Sequence, residues 1–265
     1  HCSCETTAVG PDSGRTTMMP VPSTADRDTS TAGASAAAEA PAFWQLGVAG
    51  ELIDALAEIG IEQTFSIQEL AIPLALSGRD LIGQARTGMG KTYAFGIPLL
   101  DRVFDDAAVA EIDGTPRALV VVPTRELAVQ VGEDLRRAAR YTPVRTVTIY
   151  GGRPYEEQID SLHQGADVIV GTPGRLLDLY DRGELVLSAV AILVLDEADE
   201  MLDMGFLPDI EKLWAGLPQK LQTMLFSATM PGPILTLARS KMRRPVHIRA
   251  EAADAPATHT TTHQV

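Results

Sequence analysis

The chain has 265 residues, 45% of them hydrophobic, a net charge of −13 and a mean hydropathy of +0.05. That is enough apolar material for one large core or two small ones. A chain this acidic cannot present a broadly basic nucleic-acid face, since phosphate contacts need Lys and Arg. Any such site must be a local basic strip or be completed by another segment. No apolar run is long enough to span a bilayer, and residues 1–20 lack a charged start followed by an apolar stretch, so no signal peptide is expected. Cys2 and Cys4 are the only cysteines. They are too close together, with no downstream Cys, for a structural zinc site. A core without disulfides fits a reducing, cytoplasmic setting.

Residues 1–40 are rich in Ser, Thr, Ala, Gly and Pro and lack an apolar period, so this stretch is expected to be a disordered tail. Ala36-Ala37-Ala38 could extend a helix with nothing to anchor it. Order is expected from Phe43-Trp44. Leu46, Val48, Leu52, Ile53, Leu56 and Ile59 fall near helical spacing, with Gly60 as a stop. Residues 66–76 read as a second helix, kinked at Pro73.

Asp80-Leu81-Ile82 reads as a short strand and residues 93–100 as an apolar helix. Between them stand Ala85, Arg86, Thr87, Gly88, Met89, Gly90, Lys91 and Thr92. Strand, glycine turn, Lys-Thr and helix together make a phosphate-binding loop, although Ala85 stands where the GxxxxGK[ST] spacing has its first Gly. Glycines let backbone N–H groups converge on an anion, and the helix points its positive end at the same place. Lys91 would reach the β- and γ-phosphates, and Thr92 would hold Mg²⁺ through its hydroxyl.

Strand and helix patterns then alternate. Residues 118–122, 145–150, 167–170, 191–195, 222–226 and 246–248 read as strands. Residues 126–139 and 156–163, with a start at Arg175, read as helices. This rhythm implies an α/β domain with a predominantly parallel sheet and helices on both faces. Polar motifs follow several strands, at the carboxyl ends where open α/β sheets bind ligands. After the most apolar strand comes Asp196-Glu197-Ala198-Asp199. Asp196 can hold Mg²⁺ through water, and Glu197 can orient and deprotonate an attacking water. Residues beyond about 250, including His259 and His263, read as a solvated tail.

With these residues in place, the chain resembles the N-terminal RecA-like domain of a DEAD-box RNA helicase. The resemblance rests on residues 85–92, Pro123-Thr124-Arg125-Glu126-Leu127-Ala128, Gly151-Gly152, Thr172-Pro173-Gly174-Arg175, Asp196-Glu197-Ala198-Asp199 and Ser227-Ala228-Thr229, in family order across about 200 residues. Met201 to Phe206 also matches the family run. The resemblance implies ATP and Mg²⁺ as cofactors, with Phe43 and Gln68 at the adenine beside the phosphate loop. It implies catalysis by Lys91, Asp196 and Glu197. It implies sequence-independent contacts to the RNA backbone from Pro123, Thr124, Arg125, Gly152, Thr172 and Arg175. Small residues, backbone amides and two Arg side chains suit such contacts. Asp199, Ser227 and Thr229 would couple nucleotide state to RNA grip.

The chain departs from the family pattern in two places. In Gly60-Ile61-Glu62-Gln63-Thr64-Phe65-Ser66-Ile67-Gln68, Ile61 replaces a ring that would stack on adenine, and Thr64-Phe65 replaces Pro-Thr. Gln68 could instead cap its own helix. In addition, no His-Arg-x-Gly-Arg segment occurs. Residues 41–250 are therefore expected to form one RecA-like ATP-binding lobe, and residues 251–265 a linker or tail toward a second RecA-like domain absent from this chain. Competing readings are a superfamily-two DNA translocase and a non-catalytic nucleotide- or RNA-binding module.

Overall fold

The computed structural model describes residues 40–250, apart from 108 and 110–112, together with the backbone of residues 263 and 264. The readings made for residues 1–39 and 251–262, including the Ala36-Ala37-Ala38 helix, lie outside the described residues.

Seven parallel strands form the sheet: β1 (Leu81–Gln84), β2 (Ala118–Val121), β3 (Thr146–Ile149), β4 (Val168–Gly171), β5 (Ile192–Leu195), β6 (Gln222–Ser227) and β7 (Val246–Arg249). Across the sheet the order is β3-β4-β2-β5-β6-β1-β7. A two-residue strand, β8 (His263–Gln264), adds antiparallel to β7, where the sequence suggests only a solvated tail.

The strands read as continuous apolar runs because both faces are covered. Alternate residues go to opposite cores. In β5, Ile192 and Val194 enter the core on one face, while Leu193 and Leu195 enter the core on the other. The first face is covered by α1 (Gly50–Glu58), α2 (Ser66–Leu76), α3 (Lys91–Asp105) and α4 (Arg125–Ala138). There Phe95 of α3 packs on Phe226 of β6, ring centres 5.4 Å apart. The second face is covered by helices that include α6 (Pro173–Asp181), α8 (Leu207–Ala215) and α9 (Gly232–Lys241). Helix α5 (Tyr155–His163) follows β3, and α7 (Ala198–Asp203) follows β5.

Pro73 lies inside α2, which continues past it to Leu76. The sequence reading has no counterpart for α7, α8 or α9. Helix α7 spans only six residues, too few to show a period. Helices α8 and α9 each carry Pro in the first turn. There its missing N–H costs nothing and its fixed φ suits a helix start, so a residue easily taken as a breaker is an opener.

Gly171 is held tightly by backbone in the sheet. A Cβ there would lie 2.4 Å from the Ile149 carbonyl oxygen of the neighbouring strand and 2.8 Å from Leu176 Cδ2. The backbone atom cannot swing aside as a side chain can. Gly171→Ala is therefore expected to lose about 1–3 kcal/mol of stability, the usual cost of overpacking. Urea unfolding would measure it, and an unchanged midpoint would show that β3 and β4 separate freely.

Candidate functional site

Because β1 to β6 run in the same direction, the segments that follow them emerge at one edge of the sheet. Ladder hydrogen bonds continue past the strand ends and hold these segments side by side. Ala85 N–H donates to Ser227 O at 3.2 Å, Asp196 N–H to Val121 O at 3.0 Å, and Thr172 N–H to Ile149 O at 3.0 Å. All the motif segments singled out in the sequence therefore share this edge. They divide by strand. The loop at 85–92, the acidic run at 196–199 and Ser227-Ala228-Thr229 lie over β1, β5 and β6. Pro123-Thr124-Arg125, Gly151-Gly152 and Thr172 to Arg175 lie over β2, β3 and β4.

In the first group, Gly90 is the N-cap of α3 and has φ 81°, a conformation that strains any side chain. A Cβ there would also lie 2.6 Å from Gln68 Nε2 and 2.8 Å from Phe65 Cδ2. Ala85 packs into the core at 3% exposure, so the methyl that replaces the usual glycine is accommodated beneath the loop. Arg86, Thr87 and Gly88 are exposed, while Met89 and Thr92 are half-buried. Lys91 is buried at 6% exposure. Its Nζ has no hydrogen-bond partner and lies 3.8 Å from Glu197 Oε1. A buried ammonium with no hydrogen bond is costly, and an anion on the loop would relieve it.

Asp196 is buried at 3% exposure. Burial pushes its carboxyl from the usual 3.8 up to about 7, against the pull of Lys91 and with a further push from Glu197. Glu197 caps α7 with φ 51° and ψ 50°, a left-handed conformation unusual for a residue with a side chain. Its backbone N–H donates to Asp196 Oδ1 at 3.0 Å, and its Oε1 lies 3.4 Å from Thr87 Oγ1. A hydrogen bond to Glu197 raises the Glu200 carboxyl as well, with burial adding to it. Buried lysine, buried carboxylate and the nearby Thr92 hydroxyl form the donor set that suits a magnesium-bound phosphate, since Mg²⁺ takes few protein oxygens and keeps water. Asp199 ties this group to β6. Its backbone N–H donates to Ser227 Oγ at 3.1 Å, and its Oδ2 accepts from Thr229 N and Oγ1, each at 2.8 Å. Burial alone would raise the Asp199 carboxyl, but hydrogen bonds from Ser227 and Thr229 outweigh it and hold it below its ordinary value.

Gln68 is 1% exposed. Its Oε1 accepts from Phe65 N–H at 2.9 Å, capping α2, and its Nε2 donates to Gly90 O at 3.0 Å. The capping role open from sequence and a place beside the phosphate loop are thus both present. Phe43, expected near the adenine, is 2% exposed and packs in the core. The exposed ring beside the loop is Phe65, at 56%.

In the second group, Pro123 is buried and Thr124 caps α4, its Oγ1 accepting from Leu127 N–H at 3.2 Å. Arg125 is exposed, with Glu126 at 3.0 Å. Such an exposed pair is worth little and leaves the cation available. Gly152 has φ 82°. Arg125, Val129, Tyr150, Gly152, Arg153 and Pro154 are among the lining of an open cleft of about 620 Å³. Arg175 donates to Arg153 O at 2.9 Å.

Sequence reasoning missed the residues that hold this second group. Two guanidinium groups lie over the Tyr155 ring, Arg175 3.9 Å and Arg182 4.2 Å from its centre. Its hydroxyl donates to Asp178, which also accepts from Arg182 at 3.0 Å. Arg175, Asp178 and Arg182 repeat at helical spacing on one face of α6, which is the signal that could have found them. Gln158, fully buried, accepts from Tyr150 N–H at 3.0 Å and donates to Arg153 O and Pro154 O, stapling the Gly151-Gly152 turn. One uncharged amide beside Ile159 and Leu162 in α5 was its trace in the sequence.

The Asp196 carboxyl sets a pH dependence. Its pKa is higher folded than unfolded, so the folded chain binds the extra proton. The penalty is absent below about pH 4, grows to about pH 7 and is constant above. Asp196→Asn keeps an acceptor for Glu197 N–H and removes the charge. The variant is expected to be about 2–4 kcal/mol more stable than the parent at pH 8 without nucleotide, and equal to it at pH 4. Denaturant unfolding at the two pH values decides this, and an equal gain at both would remove ionisation as the cause.

The description "DEAD/DEAH box helicase" belongs to the family model that matches residues 65–237. The chain is 47% identical over 212 residues to the DEAD-box ATP-dependent RNA helicase CshA of Bacillus cereus, covering 80% of this chain and 39% of that protein. It is also 47% identical over 213 residues to the CshA of Geobacillus kaustophilus, covering 44% of it. The chain thus spans less than half the length of these curated relatives. Among solved structures, it is similar to a DEAD box protein from the hyperthermophile Methanococcus jannaschii, with a TM-score of 0.74 and 39% identity over 80% of this chain and 57% of that one. A hypothetical ATP-dependent RNA helicase from Sulfolobus tokodaii gives a TM-score of 0.69 and 38% identity, over 76% of this chain and 56% of that one. With the family model covering well over half of its length, the chain belongs to the DEAD/DEAH box helicase family.

Proposed function

We propose that residues 41–250 are the ATP-binding lobe of an ATP-dependent RNA helicase, which couples ATP hydrolysis to local unwinding of RNA when joined to a second RecA-like domain. The observation that carries this reading is the division of the motif edge. A buried lysine and carboxylate lie beside a glycine loop over one half, and exposed Arg125, half-buried Arg175 and backbone turns lie over the other. The network from Ser227 and Thr229 through Asp199 to the acidic run gives the nucleotide half its link to the neighbouring strand.

In this reading, backbone N–H groups from Ala85 to Gly90 and the amino end of α3 hold the phosphates, and Lys91 neutralises them. Mg²⁺, held by Thr92 and, through water, by Asp196, supplies charge neutralisation at the γ-phosphate. Glu197 orients the attacking water and accepts its proton. Phe43 supports the turn behind the adenine, and Gln68 meets the base with its remaining N–H and lone pair. Pro123, Thr124, Arg125, Gly152, Thr172 and Arg175 contact the RNA sugar–phosphate backbone without reading sequence. Asp199, Ser227 and Thr229 transmit nucleotide state toward that surface. Residues 251–265 lead toward the second lobe, and an opposing cation supplied from there would complete the site, as arginine does in related phosphate-loop enzymes. The closest competing role is a DNA translocase. It is separated by measuring ATPase stimulation by RNA and by DNA in the protein that carries both lobes.

Lys91→Ala is expected to weaken Mg-ATP binding by at least about tenfold, since it removes a charge-assisted contact worth roughly 1.5–3 kcal/mol. Glu197→Gln should bind ATP as the parent does but lose hydrolysis in the two-lobed protein, because an amide cannot take the proton. Titration of both variants with ATP, followed by phosphate-release assays, checks this, and parental turnover by Glu197→Gln would remove it as the base. ATP should bind about tenfold or more tighter than GTP, since guanine O6 would face the Gln68 acceptor and leave a hydrogen bond unmet. Equal affinities in a competition titration would take base selection away from Gln68.

A further inference from the structure

We propose that Phe65 supplies the aromatic face on which the nucleobase stacks, standing in for the ring that Ile61 lacks. The inference rests on the proposed nucleotide role of the loop at 85–92.

Three positions could offer that ring. Phe43 is 2% exposed and spent on the core. Position 61 is Ile, half-buried against the same core. Phe65 is 56% exposed and opens α2 as its N-cap residue. A lone exposed phenylalanine needs no explanation on a general surface. This one lies at the anion loop. A Cβ on Gly90 would sit 2.8 Å from Phe65 Cδ2 and 3.3 Å from its Cγ, and 2.6 Å from Gln68 Nε2. The ring and the Gln68 amide therefore flank the last glycine before Lys91.

Two bonds fix the arrangement. Phe65 N–H donates to Gln68 Oε1 at 2.9 Å, and Gln68 Nε2 donates to Gly90 O at 3.0 Å. Ring, amide and loop thus form one unit, and a phosphate chain on the loop would bring its base within reach of both. The Gln68 amide is 1% exposed and holds backbone on both sides, which leaves one N–H and one lone pair for the base edge, while the ring offers the open apolar face. Stacking on a phenyl face is available to every base, because every base has a π face. Phe65 therefore adds affinity for nucleosides over bare phosphate, while choice between bases stays with Gln68.

The test uses the chain itself, titrated calorimetrically with Mg-ATP, Mg-ADP and magnesium tripolyphosphate. The variants are Phe65→Ser and Phe65→Tyr. Serine is a preferred N-cap residue, so the first variant does not weaken α2, and its thermal unfolding is recorded beside the parent's. Phe65→Ser is expected to bind ATP and ADP about tenfold more weakly and tripolyphosphate unchanged, with Phe65→Tyr within about twofold of the parent for all three. Parental affinity of Phe65→Ser for ATP and ADP would overturn the inference alone. So would an equal loss for tripolyphosphate, which would make the ring a support of the loop. A parent chain that binds neither tripolyphosphate nor nucleotide would overturn the proposed function and the inference with it.

Discussion

The pairing of β1 with β6, rather than with the next strand in sequence, is the constraint on which the site depends. Their register sets Gly83 opposite Phe226 and Gln84 opposite Ser227, and the ladder continues through Ala85 N–H to Ser227 O. This places the glycine loop beside Ser227-Ala228-Thr229 and, one strand further, beside Asp196. Gly83 makes the fit possible, because a Cβ there would lie 2.4 Å from the Phe226 ring. Helix α3, which follows β1, covers one face of the sheet and α9, which follows β6, covers the other, and ligands of open α/β sheets are bound where neighbouring strands lead to opposite faces.

The loop set together this way is not at rest in electrostatic terms. A buried lysine without a hydrogen bond, a buried carboxylate pushed up to about 7 and a left-handed glutamate meet within one small volume. Each costs free energy on its own. An anion and a divalent cation entering together would compensate all of these charges at once, which is why the group reads as a binding site rather than as a structural ion pair. Structural pairs satisfy one another, whereas Lys91 and Glu197 stay 3.8 Å apart.

The other half of the edge solves a different problem, that of offering cations from a chain of net charge −13. Tyr155 holds Arg175 and Arg182 over its ring, and Asp178 fixes the tyrosine hydroxyl. Cation–π contact orders the guanidinium groups, and Asp178 neutralises only part of their charge. Gln158 serves the same half from beneath, satisfying the backbone of the turn that carries Gly152. These supports lie between the motifs in sequence and carry no motif of their own.

Most of what the sequence determined is local. Continuous apolar runs such as Ile192 to Leu195 marked strands covered on both sides, and Gly88 and Gly90 after a strand marked a turn into a helix, because period and turn chemistry act over a few residues. Six motifs in order were enough for the family. Elements without a clear period or opened by proline, α7, α8 and α9, escaped that reading, and so did the pairing of His263–Gln264 with β7. What only the tertiary structure decided is long-range. It interleaved β1 between β6 and β7, so that the loop at 85–92, first along the chain, joins the two last motifs in one half of the edge, while the three between them lie over the other. It buried Phe43 and left Phe65 exposed. It also brought Tyr155 against two arginines of another helix. Hydrogen-bond register and side-chain burial are set by residues far apart in the chain, and no local pattern encodes which of Phe43 and Phe65 will face the core.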